Sequence, residues 1–445
     1  MDCQYKLLII PVLLFFFFIQ LVPGIEVDYS LNDLDVNTQY DVDNSVYVYE
    51  EVSGDPQQTT IQDYRDVSGG GKKDLKQKFS SGSYSAISGV KADSGSVEST
   101  AYLTSTSLSA TQRSNIGGSF AYAFLAGSQD YLGGIAFTGQ YVGVESGILS
   151  TVQTLSLGRS IYSTQSFQAS GINPLAVGYA LVDFHGLNSF DSQGAFIAAG
   201  ACKEGSISGY MGAEVIKVPE ATYIDPVAYG SNIVAQGGEA AGIIAGAGNL
   251  KGFWSQDQFA NYNELEGQGA FTGAVGIGKD SFASVDYIEA RTDGHETSAF
   301  EVDAKAKGDK SAIVAAGAGR FNRNVGFGFG PGSFFSYGIF DLQGAIAGAT
   351  AIGDDSKAKA SWVGAITDGV NTSAIGEDLM AESDGFAAVG AGAGSLYLNH
   401  GLMQSPFFSG STDNLGIEGA IAGAVAGGEN SETKADYVGA ATNGE

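Results

Sequence analysis

The sequence predicts an all-β protein in which repeated antiparallel β-meander units of about 75 residues form a large extended or hoop-like sheet. Three observations carry that expectation. Of 445 residues 65 are Gly and only 8 are Pro, yet 44% are hydrophobic and 11% aromatic, so the chain can bury a core despite its glycines. No Gly-X-Y period is present, which excludes collagen. Within the C-terminal half, apolar residues alternate with a period of two, and whole blocks recur at intervals of 75.

The chain opens with an apolar run, Leu7 to Val22, behind Lys6, and Val22 and Gly24 are small enough for a signal-peptidase site. Residues 1–24 read as a signal peptide. Residues 25–78 are an acidic segment that ends in a Gly/Lys-rich boundary, Gly69-Gly70-Gly71 followed by Lys72 to Lys78. A degenerate β-repeat region, 79–193, leads into clearer repeats at 194–268, 269–343 and 344–418, and a partial one at 419–445.

The period rests on two markers. Gln193-Gly194-Ala195, Gln268-Gly269-Ala270, Gln343-Gly344-Ala345 and Glu418-Gly419-Ala420 are spaced by 75, and residues 342–369 match 417–444 at 16 of 28 positions without a gap. The second marker, AGAG, stands at 316–319 and 391–394, whereas its counterpart at 245–248 falls four residues early, as a small change in loop length would produce. Repetition at a fixed period means that neighbouring units cover one another's faces.

Inside a unit, SFASVDYIEAR (281–291) and TSAFEVDAKAK (297–307) alternate as two-faced strands of about ten residues. Asp293-Gly294, Asp368-Gly369 and Asn443-Gly444 occupy equivalent positions, and such dipeptides supply the positive φ of a hairpin turn. Gly308-Asp309, Gly353-Asp354-Asp355 and Asp384-Gly385 punctuate the chain in the same way, giving four to six strands per unit. In GAIAGATA (344–351) one face carries only Ala345, Ala347, Ala349 and Ala351, a uniformly small surface that another surface can approach closely. The partial unit stops just past its first hairpin turn, so an exposed strand edge is expected there.

Little in the sequence resembles an active site. His185, His295 and His400 lack any shared ligand spacing, no nucleophile elbow or phosphate loop is present, and GFGFGPG (326–332) lacks the spacing of a dinucleotide fingerprint. Enzyme activity, cofactor and resident metal are therefore not expected. With 49 acidic against 22 basic residues, the net charge of −27 excludes nucleic acid as a partner. Asp33, Asp35, Asp41 and Asp43 read as a solvated acidic strand, with divalent cations as conceivable company. Once the signal segment leaves with Cys3, Cys202 is the one cysteine, either pairing between subunits or lying buried and inert. Asn371 begins the glycosylation sequon Asn371-Thr372-Ser373.

The export signal, the Gly-rich acidic composition and the 75-residue units of 118–445 resemble, in kind, the major sheath proteins of filamentous methanogenic archaea, which form resistant, amyloid-like β-sheet tubes around cell chains. The resemblance implies an extracellular structural protein whose principal partner is itself. It would assemble through sheet edges into a sheath or surface layer beside other envelope components, with its carboxylate-rich face wetted. Two other readings fit the alternating strands: an outer-membrane-type β-barrel for transport, and a secreted repeat adhesin or propeller that binds carbohydrate.

Overall fold

The structure, a computed structural model, describes the backbone of the strands named below. It also describes the connections at 173–174, 188, 203, 238–239, 278–280, 296, 309–310, 353–355, 368, 384–385 and 428–430. Side chains are described over 164–442, apart from 165, 181–187, 216–225, 257–259, 293–295, 329–332, 369–370, 405–408 and 412. The signal segment, Asp33, Asp35, Asp43, Asp293, Gly294, His295, Gly369 and Gly444 lie outside the described residues.

All the described elements are strands. The N-terminal ones are β1 (Ile25–Ser30), β2 (Val36–Asp41), β3 (Tyr47–Gly54), β4 (Gln58–Val67), β5 (Lys73–Ser81), β6 (Tyr84–Ala92), β7 (Ser94–Thr104), β8 (Ser107–Gln129), β9 (Gly134–Ser156), β10 (Ser160–Ile172) and β11 (Leu175–His185). Then follow β12 (Ser189–Cys202), β13 (Glu204–Lys217), β14 (Ile224–Gly237), β15 (Ala240–Gln256), β16 (Ala260–Ile277), β17 (Ser281–Thr292), β18 (Thr297–Gly308) and β19 (Ser311–Gly330). The last are β20 (Ser333–Ile352), β21 (Ser356–Thr367), β22 (Asn371–Ser383), β23 (Phe386–Ser405), β24 (Phe408–Gly427) and β25 (Ser431–Asn443).

These strands form two antiparallel sheets that do not close into a barrel, with three parallel pairings among β1 to β5. One sheet runs β12-β15-β16-β19-β20-β23-β24 and is called the long sheet here, since its last four strands have 20 residues each. The other, the short sheet, runs β10-β13-β14-β17-β18-β21-β22-β25 in strands of 12 to 14 residues. β8 and β9 switch layers midway and belong to both: the first part of β9 pairs with β11 and its last part with β10.

Each 75-residue unit is therefore four strands, two hairpins that lie in different layers. The sequence signals divide into two kinds that look alike. Asp368 sits at a hairpin within the short sheet, where Thr367 pairs with Thr372, and the strands flanking 293–295 pair likewise through Thr292 and Thr297. Gly308-Asp309, Gly353-Asp354-Asp355 and Asp384-Gly385 instead carry the chain from one sheet to the other as arches. Both kinds of turn are written with the same Gly and Asp residues, which is why composition does not separate them. The long-sheet strands also exceed the expected ten residues, because the Gly-Ala stretch and the aromatic stretch beside it are one continuous strand.

The arches are periodic devices. Gly278 and Asp280, Gly353 and Asp355, and Gly428 and Asn430 have φ of 120° and 53°, 133° and 54°, and 120° and 56°. The next residue closes each turn, as Ser281, Ser356 and Ser431 donate their hydroxyls to the carbonyls of Gly278, Gly353 and Gly428. Arches from adjacent hairpins stack through backbone bonds, Gly353 N–H to the Lys310 carbonyl at 3.0 Å and Gly428 N–H to the Gly385 carbonyl at 2.8 Å. A second periodic irregularity, positive φ at Asp303 (49°) and Asp378 (47°), recurs on the short sheet at the same interval.

Between the sheets lies a core built mostly of alanine. Ala345, Ala347, Ala349 and Ala351 are buried on β20 as the alternation predicts, beside Ala316 and Ala318 of β19 and Ala391 and Ala393 of β23. The facing layer presents Ala283, Ala290, Ala299, Ala304, Ala306, Ala358, Ala360, Ala365, Ala374 and Ala381, with only a few larger residues such as Leu379. At the end remote from the arches the core is closed by polar rows. Thr292, Thr297, Thr367, Thr372 and Thr442 line the short sheet, and Gln193, Asn249, Gln268 and Gln343 the long one.

The Ala spacer leaves no room for growth. Ala349→Leu, at a site with no exposure, should lower stability by about 1–3 kcal/mol through overpacking. A Cβ on Gly353 would lie 2.7 Å from the Gly385 nitrogen, so Gly353→Ala should cost a similar amount, about 1–3 kcal/mol, through strain at positive φ. Urea unfolding of each variant against the parent chain checks both.

Candidate functional site

The two outer faces of the sandwich differ in kind. On the short sheet the outer face is charged and aromatic. Lys305, Lys307, Lys357, Lys359, Glu377, Glu382, Glu432 and Lys434 lie on it, with Lys357 held 3.2 Å from Glu382 across the β21–β22 pair. Tyr287, Trp362 and Tyr437, which share one repeat position, form part of a cross-strand row there, Tyr287 through Val302 to Trp362 and then through Glu377 to Tyr437. The Tyr287 hydroxyl donates to Glu289, and burial together with that carboxylate pushes its pKa up.

On the long sheet the outer face is apolar and patterned. Register places Phe196, Gly246, Phe271, Gly317, Ile346, Gly392 and Ile421 in one line across seven strands, so that large residues alternate with glycine. The glycines make room for their neighbours: a Cβ on Gly246 or Gly317 would lie 2.4 or 2.5 Å from the ring of Phe196 or Phe271. The adjoining line is glycine throughout: Gly194, Gly248, Gly269, Gly319, Gly344, Gly394 and Gly419. The two sequence markers, Gln-Gly-Ala and AGAG, are thus cross-strand neighbours in one row. The early AGAG at 245–248 keeps its place because β15 and β16, of 17 and 18 residues, make a shorter hairpin than the 20-residue strands of β19 and β20.

Both sheets end in strands with one partner. β24 pairs only with β23 and β25 only with β22, whereas their repeat counterparts β20 and β21 pair on both sides. The uncovered edge is visible in exposure: Ile421 is 92% exposed against 54% for Ile346 one repeat earlier. Ala420 and Ala422, which face inward on β24, remain only partly buried against the core.

Beyond the reach of the short sheet, the inner face of the long sheet is a polar shelf. Arg320 donates to Glu266 at 2.9 Å, the Tyr262 hydroxyl donates to Glu264 at 2.9 Å, and Asn324 donates to Tyr262 at 3.0 Å. Burial raises the pKa of Asp341, with Arg320 pulling the other way. Among the described residues no cluster of His, Cys, Asp or Glu is arranged to hold a metal ion.

The residues singled out in the sequence fall in separate places. Asn371 is exposed at the start of β22, and its side-chain amide donates to Asp368 across the turn at 3.0 Å. Asn443 pairs with Asn371 in the β22–β25 ladder. Cys202 is buried at the end of β12. Asp41 ends β2, and Lys73 to Lys78 lie in β5, paired with β3 and β6. His185 ends β11, and His400 on β23 contacts Asp413 of β24, so no histidine site is assembled among the described residues.

One buried group went unnoticed in the sequence. Glu301 of β18 is fully buried and points at the long sheet, where the Thr272 hydroxyl and the Gly273 backbone N–H donate to it. Burial pushes its pKa up to about 8. Its repeat counterpart is Gly376, so the alternation offered no sign of a carboxyl in the core. The unfolded carboxyl ionises near 4.5, so the fold retains a proton that the unfolded chain loses between that pH and about 8. The stability owed to the neutral carboxyl is complete below pH 4.5 and is lost as pH rises through about 8. Glu301→Gln should flatten this dependence, making the variant's urea midpoint fall less than the parent's between pH 5 and 8.

Comparison with protein families, with curated proteins and with solved structures gives no match.

Proposed function

We propose that this chain is a structural subunit that assembles by pairing sheet edges into an extracellular sheath or surface layer enclosing cells. The observation that carries the reading is the pair of open edges. β24 and β25 end the two stacked sheets at the same place, and each offers an unpaired row of backbone donors and acceptors. Soluble proteins protect such edges with Pro, bulges or inward-pointing charge; on β24 the inward charge is confined to Glu418 at the polar end of the core, and the inward residues beyond it are Ala420, Ala422, Ala424 and Ala426. A strand from another copy that paired there would extend the backbone ladder and close the alanine core at once.

The apolar leader and the resemblance to archaeal sheath proteins support the extracellular setting. The charged face of the short sheet, which carries both lysine and glutamate, supplies a wetted surface for it. Assembly of this kind is mechanical in effect: continuous main-chain hydrogen bonding between subunits resists shear and excludes proteases.

The reading is tested by an inward charge. A Lys at position 422 can reach water from an open edge but becomes a buried charge once a second copy covers the strand. Ala422→Lys should therefore leave the monomer folded and abolish polymers that diffract at about 4.7 Å along the stacking direction. A parent chain that stays monomeric at every concentration in electron microscopy and sedimentation would end the proposal.

A further inference from the structure

The geometry points to a second interface, independent of the edges: the outer face of the long sheet stacks on the same face of another copy, the raised row of each lying in the glycine line of the other. Three features of that face lead to this partner. It is uncharged over a wide area in a chain of net charge −27. On β16 the outward residues from 267 to 277 are Gly267, Gly269, Phe271, Gly273, Val275 and Ile277. The equivalent positions of β20 and β24 are equally free of charge, as are the outward positions of β15, β19 and β23 between them.

Six strands about 4.8 Å apart and eleven residues of about 3.4 Å give a plane of roughly 1,000 Å². That exceeds the roughly 800 Å² per partner of a stable protein interface. Phe271, Ile313, Ile346, Ile352, Phe386 and Ile421 stand in it between 36% and 92% exposed. An apolar patch of this size on one side of a sandwich is a contact surface rather than a water-facing one.

The second feature is relief. Phe271, Ile346 and Ile421 project from every second strand, with the Phe271 ring lying over Gly317 and only Gly392 left open between Ile346 and Ile421. They form a raised row that runs beside the all-glycine line. A copy laid face to face can therefore set its raised row into that line.

The third feature is the all-glycine line. Glycine is not demanded there by the fold. A Cβ on Gly269, Gly319, Gly344 or Gly419 would meet nothing nearer than 3.5 Å, and none of these four has positive φ. Glycine also weakens a strand. The line is a trough about seven strands long, flanked by Leu342 and Ile417 on one side and Ile346 and Ile421 on the other. Its value lies in the approach of a surface outside the chain.

The contrast between the two outer faces fixes the arrangement. Stacking long sheet on long sheet hides both apolar faces and leaves both charged faces in water, giving a four-sheet lamina. The opposite stacking would bury Lys305, Lys359, Glu377 and Lys434.

The test separates this contact from edge pairing by using the Ala422→Lys chain, in which edges are blocked. Sedimentation equilibrium should give a mass twice that of the chain. Adding Gly319→Thr and Gly344→Thr, which fit the strands and raise their β propensity, should return the mass to that of the monomer with no loss in urea midpoint. A monomer with all glycines intact, or a dimer that tolerates both threonines, would overturn the inference. So would binding of the edge-blocked monomer to phosphatidylcholine vesicles that the threonines abolish, because the face would then belong to lipid. Should the chain form no edge polymers, this measurement still stands, since it reads the face alone.

Discussion

The close approach of two sheets through alanine is the constraint on which the rest of this molecule depends. Alanine is a poor strand former, so its repeated choice on both facing layers is not explained by propensity. A methyl group on most inward positions keeps the layers near enough for dispersion contacts to accumulate along the whole stack. The same closeness dictates the arches. Where the chain crosses in three residues, Gly with Asp or Asn supplies two positive-φ conformations, at 278 and 280, 353 and 355, and 428 and 430. The carbonyl that such a turn leaves inward is met by the serine that follows. Thin core, short arch and serine lock are thus one solution repeated at every unit.

Much of this was legible in the sequence because repetition shows which residues are interchangeable and which are not. The 75-residue interval, the small face of 344–351 and the strand ends near 292 and 367 all follow from spacing and alternation. What stayed hidden depends on register between strands distant along the chain. That Gly353-Asp354-Asp355 crosses layers, while the turn at Asp368 does not, cannot be read from two turns written with the same Gly and Asp residues. The union of Gln-Gly-Ala and AGAG in one glycine line needed cross-strand pairing, since Gly319 and Gly344 are 25 residues apart along the chain. Glu301 was invisible for another reason: it breaks the repeat, and a break carries no pattern.

Glycine has at least three separate roles here. At the arches it provides backbone angles. Under Phe196 and Phe271 it yields space to a neighbouring ring, so that the bare strand is covered from the side. In the line through Gly269, Gly319, Gly344 and Gly419 neither reason applies, and a side chain would fit. A position where the fold permits a better strand former and the sequence keeps glycine points outward, to what the face must meet.

In the proposed assembly, edges and faces divide the work by chemistry. An edge offers backbone hydrogen bonds, which are directional and indifferent to side-chain identity, so edge pairing gives reach along the stacking axis but little choice of partner. A face offers side-chain relief, which is specific in pitch but has no hydrogen bonds to impose direction. The sandwich is asymmetric in its faces, with lysine and glutamate on the short sheet and none on the central part of the long one, so growth through faces stops once two apolar surfaces meet. Growth through edges has no such stop. The proposed assembly is accordingly a wall that is extended in one direction and limited to a double layer in the other, wetted on both sides by its lysines and glutamates.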